Sequence, residues 1–255
     1  MNRLRERAVA WGSPPGRSMS RLLSHPGPTS AHDGYMRITS FSHSCFLTEI
    51  DGTRILFDPG TFSSGFESLA GLDAILITHQ HPDHADPARL PALVAANPGA
   101  QLWCDPQTAQ QLNADSSSNG VWRDAHVGQR FTIGPLTVRA TGGRHAVIHP
   151  ELPVIDNIAY LVGTDERPGM LLHPGDSFYI PFVTVEVLAL PAAAPWMKLS
   201  ESVDYLRGVE PAKAFPIHQA VLSPSGAAVH NARLAEMRKP TTEFTVVELG
   251  ATAEF

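Results

Sequence analysis

The chain has 255 residues and a formal net charge of −6 at neutral pH, with 43% hydrophobic and 17% charged residues. This length and balance suit one large or two small globular domains with a buried core, and the acidic surplus leaves no electrostatic footprint for DNA or RNA. No apolar run of about eighteen residues points to a membrane helix. Two cysteines, Cys45 and Cys104, with no Cys-x-x-Cys motif, fit reduced thiols in a cytoplasmic protein.

Residues 1–35 are rich in Arg, Ser, Pro and Gly, lack a sustained apolar period, and read as a disordered extension without the apolar centre of a secretory signal. A regular pattern begins at Met36. "RITSF", "CFLTEI" and "RILFD" predict short strands, the last two joined by the turn Asp51-Gly52. Asp58-Pro59-Gly60 opens a loop with a short helix, and "DAILIT" then reads as a strand buried on both faces. Residues 87–96 predict a helix with Asp86 as N-cap and Pro87 at its first position. "AQLWCD" predicts a strand, "PQTAQQLNA" a helix, and "QRFTI" with "LTVRAT" a hairpin around Gly134-Pro135. In the second half "NIAYLVG", "GMLLH", "VTVEVLAL" and "AKAFPI" read as strands, and "SESVDYLRGV" and "AAVHNARLAEM" as helices. "EFTVVEL" reads as the last strand. Such alternation predicts an α/β fold with sheets covered by helices.

Residues 76–87, "LITHQHPDHADP", place three histidines and two aspartates directly after an apolar run. A residue before proline is pushed toward extended backbone, so His81 before Pro82 is not helical. In an extended segment alternate residues share a side, which brings the rings of His79 and His81 together, with Asp83 and His84 in the turn that follows. Imidazole and carboxylate are the ligands of zinc and similar divalent ions. Further ligands are expected at other strand ends. His145 in "TGGRHAVIHP", Asp176 in "LLHPGDS" and His218 in "FPIHQ" each follow an apolar strand, and His149 competes with His145 within one loop.

The ordered set His79-x-His81-x-Asp83-His84, His145, Asp176 and His218 resembles the metallo-β-lactamase fold superfamily of metal-dependent hydrolases. "MRITSFSHSCFLTEIDGTRILFDPG" at 36–60 resembles the N-terminal strands of its branch related to ascorbate-6-phosphate lactonase, except that Ser42 stands where that branch usually has Gly. The resemblance covers nearly all of the chain from Met36 onward. It implies a four-layer αββα sandwich over residues 36–255, with two mixed sheets face to face. It also implies His79, His81 and His145 on one metal, Asp83, His84 and His218 on a second, and Asp176 bridging. Two such ions, most simply Zn2+ with Mn2+ or Fe as alternatives, lower the pKa of a shared water so that a bridging hydroxide is the nucleophile. Asp83 is expected to orient it. His43 is a candidate proton carrier beside the site and His149 a candidate donor to the leaving group. Trp196, in the Pro-rich loop 191–197, is a candidate wall of the substrate pocket.

The expected activity is hydrolysis of a small-molecule ester, lactone or phosphate ester, without nucleic acid or membrane as partner. A diiron redox protein and a catalytically silent metal-binding protein of the same fold are the competing expectations. The bond cleaved is not written in the residues, since fold analogy does not choose among hydrolytic substrates.

Overall fold

The computed structural model describes residues 35–255, and the predicted extension lies outside them apart from Tyr35. The first half forms β1 (Met36–Ser40), β2 (Phe46–Ile50), β3 (Thr53–Phe57), β4 (Ala74–Leu76), α1 (Leu90–Ala96), β5 (Gln101–Cys104), α2 (Pro106–Ala114) and β6 (Arg123–Asp124). The second begins with β7 (Arg130–Ile133), β8 (Leu136–Gly142), β9 (Ile158–Gly163), β10 (Leu171–His173) and β11 (Val187–Pro191). It continues with α3 (Leu199–Val209), β12 (Lys213–Ile217), α4 (Pro224–Met237), β13 (Glu243–Phe244) and β14 (Thr252–Glu254).

Two seven-stranded mixed sheets result, in the orders β14-β1-β2-β3-β4-β5-β6 and β13-β12-β11-β10-β9-β8-β7. The alternation of side chains along each strand sorts them into layers. In β3, Ile55 and Phe57 face the second sheet while Leu56 faces α1. In β11, Val187 and Ala189 face the first sheet while Leu188 and Leu190 face α3. One apolar cluster therefore fills the space between the sheets, with Ile38, Phe46, Leu76, Val138, Tyr160 and Phe215 among its members. A second joins the first sheet to Leu90, Leu93 and Val94 of α1, and a third joins the second sheet to Val203 and Leu206 of α3 and Leu234 of α4. Strands covered on both faces need apolar residues at every position, which is why these stretches read as continuous apolar runs. The result is the four-layer αββα sandwich.

Some boundaries differ from expectation for local reasons. The helix predicted over 87–96 begins at Leu90. Asp86 still caps the preceding turn, accepting from the N–H groups of Ala88 and Arg89 at 2.8 and 3.3 Å. No helix forms between Gly60 and Asp73. That stretch is pinned in turns by Arg89, which donates to the carbonyls of Ser63 and Gly60 at 2.8 and 2.7 Å. The predicted last strand over 243–249 shrinks to β13, and β14 crosses to the first sheet to pair with β1. The turn at Asp51-Gly52 has φ of 49° and 80°, the twist that a two-residue hairpin needs.

Strand direction places the site. β3 and β4 are parallel, β10, β11 and β12 are parallel, and β8 runs the same way as β10 because β9 is antiparallel to both. The carboxyl ends of β3, β4, β8, β10 and β12 lead into Asp58, the 79–84 loop, His145, Asp176 and His218 respectively.

Candidate metal centre

The side chains named from the sequence converge in two adjoining groups. His79, His81, His145 and Asp176 form one, and His43, Asp83, His84 and His218 the other. Within each, the possible ligand atoms lie within 4.8 Å of one another. His79 and His81 sit as the extended geometry predicts, with Nε2 of the first 3.0 Å from Nδ1 of the second. Asp176 lies between the groups. Its Oδ1 is 3.1 Å from His84 Nε2 and 3.2 Å from His218 Nε2, and its Oδ2 is 3.3 Å from His145 Nε2.

These atoms are close without being paired. His84 Nε2, His145 Nε2, His218 Nε2 and Asp176 Oδ1 are all buried and make no hydrogen bond. Buried polar atoms are rarely left so, because each forfeits its hydration. His84 Nε2, His218 Nε2 and Asp176 Oδ1 face one space and His145 Nε2 faces the adjoining one, which is the arrangement of ligand atoms around cations, so the residues present fit bound divalent metal. The far side of each ring is tied down. Nδ1 of His145 and His218 donates to the carbonyls of Ala146 (2.6 Å) and Ala193 (2.7 Å), and Nδ1 of His84 donates to Asp58 at 2.8 Å. An Nδ1–H held in this way leaves Nε2 with its lone pair free for a metal.

Asp58 is the hub that the sequence did not reveal as part of the site. Fully buried at the end of β3, it accepts from Thr78 N (2.7 Å), Thr78 Oγ1 (2.9 Å), His84 Nδ1 and His173 Nε2 (2.7 Å). Thr78 Oγ1 lies 3.0 Å from His79 Nδ1, so this one carboxylate orients an imidazole in each group. Its only signal was a carboxylate directly after a buried apolar run, read as the start of a turn. Asn157 does similar work for Asp176. Its Oδ1 accepts from Asp176 N at 3.0 Å and its Nδ2 donates to Pro174 O at 2.9 Å.

Two glycines permit the close approach. A Cβ on Gly60 would lie 1.8 Å from the carbonyl oxygen of Asp83, and one on Gly175, whose φ is +60°, would lie 2.3 Å from Asn157 Oδ1. Ser42, His43, Asp58 and His218 also have positive φ, between 43° and 73°, without being glycine. Backbone strain of this kind gathers where the surrounding structure overrides it.

Burial pushes the His43 pKa down to about 4. The hydrogen bond to Asp83 opposes this, and neighbouring His218 and His84 reinforce it. Burial alone would raise Asp176, yet the charges of His84 and His218 hold it well below the usual carboxylate range. Burial would likewise lower His84, but the carboxylates of Asp176 and Asp58 on its two sides raise it well above the ordinary histidine value. The pocket therefore calls for positive charge, which a divalent ion supplies in place of a proton.

The other named residues fall as follows. His43 Nε2 is 3.0 Å from Asp83 Oδ2, inside the second group rather than merely beside it. Trp196 is buried, and its indole N–H donates to Asp176 Oδ2 at 2.8 Å. His149 is exposed, outside both groups, with Nδ1 accepting from the N–H of Glu151. In the loop it shares with His145, only His145 reaches the cluster.

A family described as the beta-lactamase superfamily domain matches residues 37–218, and the chain belongs to it. A Mycobacterium tuberculosis protein, Rv0786c, is 57% identical over 212 residues, covering 83% of this chain and 96% of its own length. A UPF0173 metal-dependent hydrolase of Carboxydothermus hydrogenoformans is 27% identical over 198 residues, covering 72% of this chain and 84% of that protein. The metallo-beta-lactamase fold protein YhfI of Bacillus subtilis superposes with a TM-score of 0.67 at 17% identity, over 87% of this chain and all of the other. The sandwich described above is thus the metallo-β-lactamase fold.

Proposed function

We propose that the protein is a metal-dependent hydrolase that cleaves a small-molecule ester, lactone or phosphate ester with two divalent ions, zinc first among the candidates. The observation that carries this is the convergence of buried, unpaired Nε2 and Oδ1 atoms on two adjoining spaces that share Asp176. The name of the Carboxydothermus relative supports it. When bound, such a pair supplies a water of lowered pKa as nucleophile and polarises the scissile oxygen.

The chain's own residues then have distinct tasks. His79, His81, His145 and Asp176 would hold one ion, and Asp83, His84, His218 and the other oxygen of Asp176 would hold the second. Asp83 is half-buried at the opening, where its carboxylate would orient a water. His43, neutral at pH 7, donates its Nε2–H to Asp83 and acts as a positioning residue. Trp196 fixes the rotation of the Asp176 carboxylate through its indole N–H. His149 has no part in this reading. Both cysteines are free and buried, which supports a reducing, cytoplasmic setting. No helix among the described residues is long and apolar enough to cross a membrane.

The test is metal analysis of the purified chain together with hydrolysis of chromogenic esters, lactones and phosphodiesters, with and without chelator. About two zinc ions per chain are expected, with turnover lost on chelation and restored by zinc. A protein that holds two ions and hydrolyses nothing in the panel, or that carries iron and consumes oxygen instead, overturns the reading.

A further inference from the structure

The cluster meets solvent at His81 and Asp83; its other ligand side chains are buried. Around that opening, the loops leaving the ligand-bearing strands are unusually apolar at the surface. Phe62 is 52% exposed, packs edge-on against His43 with ring centres 5.2 Å apart, and follows Thr61, whose N–H donates to Pro82 O at 2.8 Å. On the other flank the His145 ring lies 4.8 Å from His81. From it leaves a lobe closed by the hydrogen bond from His145 N to Ile155 O, with Val147, Ile148 and Leu152 exposed by 55%, 40% and 52%. The uncharged segment "SFYIPFVT" at 177–184 leads from Asp176 to α3, where Ile180 lies beside Gly208 and lines a hollow with Glu201, Asp204 and Tyr205. Its Phe178 packs against Trp196 at 5.0 Å, next to the cluster.

Large apolar side chains left in water mark a surface that something apolar covers. Two loops that flank a candidate metal centre would be polar if they served only to keep it hydrated. Across 61–66 and 146–154 the only Asp, Glu, Lys or Arg is Glu151, and with the single exposed Arg144 before His145 the two loops offer no set of cations for a sugar phosphate or nucleotide. We infer that the rim formed by Phe62 and the 146–152 lobe binds an alkyl or acyl chain. The substrates are therefore amphiphiles, with the scissile group at the cluster and several methylenes lying along these loops. This rests on the hydrolase reading above and names its substrate class.

The test follows hydrolysis by the zinc-loaded full chain across two homologous series, p-nitrophenyl esters from acetate to octanoate and γ-lactones with side chains from methyl to heptyl. Each methylene withdrawn from water at the rim is expected to raise kcat/KM by two- to four-fold. Phe62→Ser and Ile148→Ser should flatten that dependence. Val121→Ser, more exposed than either but on a loop that carries no candidate ligand, should leave it intact. In parallel, binding of N-methylacetamide and N-methyloctanamide, neither of them an ester, is measured by tryptophan fluorescence. Hydrolysis independent of chain length overturns the inference and leaves the hydrolase reading standing. No hydrolysis, together with octanamide binding that both rim variants weaken, supports the chain site and removes the hydrolase reading. Absence of both overturns the inference. Sedimentation with phosphatidylcholine vesicles that the rim variants abolish, without chain-length dependence, also overturns it and makes the rim a bilayer-docking face.

Discussion

The first sheet delivers His79, His81, Asp83 and His84 from one short loop after β4, whereas the second delivers His145, Asp176 and His218 singly, each from the end of a different strand. In the first sheet the geometry is local. Extended backbone, a proline and a tight turn set the directions of the side chains within the loop itself. In the second it is topological, since the parallel course of β8, β10 and β12 brings residues 145, 176 and 218 to one end, where bonds such as that from Ala146 N–H to Asp176 O join their loops. The two modes also differ in what supports them. The loop leans on Asp58, a single carboxylate beneath it, while each separate ligand has its own backbone carbonyl or, for Asp176, the Asn157 amide.

Removing single ligands probes that contrast most strongly. On the bridging reading, Asp176→Ala leaves neither ion held and abolishes turnover, while His81→Ala and His218→Ala each leave about one metal per chain. Metal analysis of the three variants checks this, and one retained ion in the Asp176 variant would mean that the halves are independent. A smaller effect, on folding, is expected for Gly60→Ala. A methyl group 1.8 Å from a backbone carbonyl must push the whole 81–84 loop aside, at a cost of about 3 kcal/mol or more, measured by denaturant unfolding of the metal-free protein. Next in size, Asp58→Asn keeps the shape but loses the negative charge that orients His84 and, through Thr78, His79. Metal affinity should fall about 10- to 100-fold, read by competition with a chelating dye. A variant with unchanged affinity would show that the loop holds its shape without support. The smallest expected effect is a gain. Ser42 has a φ of 73°, and Ser42→Gly should stabilise the fold by about 1 kcal/mol, seen as a raised Tm.

The same contrast explains what could be read from residues alone. The His79–His84 stretch was legible because its chemistry and its geometry are encoded within the same few positions. Sheets covered by helices were legible because strands buried on both faces leave unbroken apolar runs, as in "DAILIT" and "VTVEVLAL", whereas the four-layer αββα order came from the family resemblance. His145, Asp176 and His218 could be named only by their place after apolar strands, where each alone is an ordinary residue, and it took the resemblance to a known family to apportion them between two metals. Asp58 and Asn157 stayed hidden because their importance lies in what they accept from and donate to across 17 to 115 residues of chain. The final strand went unrecognised because three residues, Thr252 to Glu254, are too few to show a period. Their place is set by pairing with β1.

Because every strand that leads to a candidate ligand points the same way, the described connections at the opposite end of the sandwich are short turns and links that carry none of them. The Asp51-Gly52 turn, the Gly134-Pro135 hairpin and the Thr164–Pro168 link between β9 and β10 lie there, where β2, β7 and β9 finish and β3, β8 and β10 begin. Those joints are the natural graft points of the molecule. An affinity handle or a whole fluorescent domain spliced into the 164–168 link would be carried a full strand length from the chemistry, leaving the working edge unencumbered.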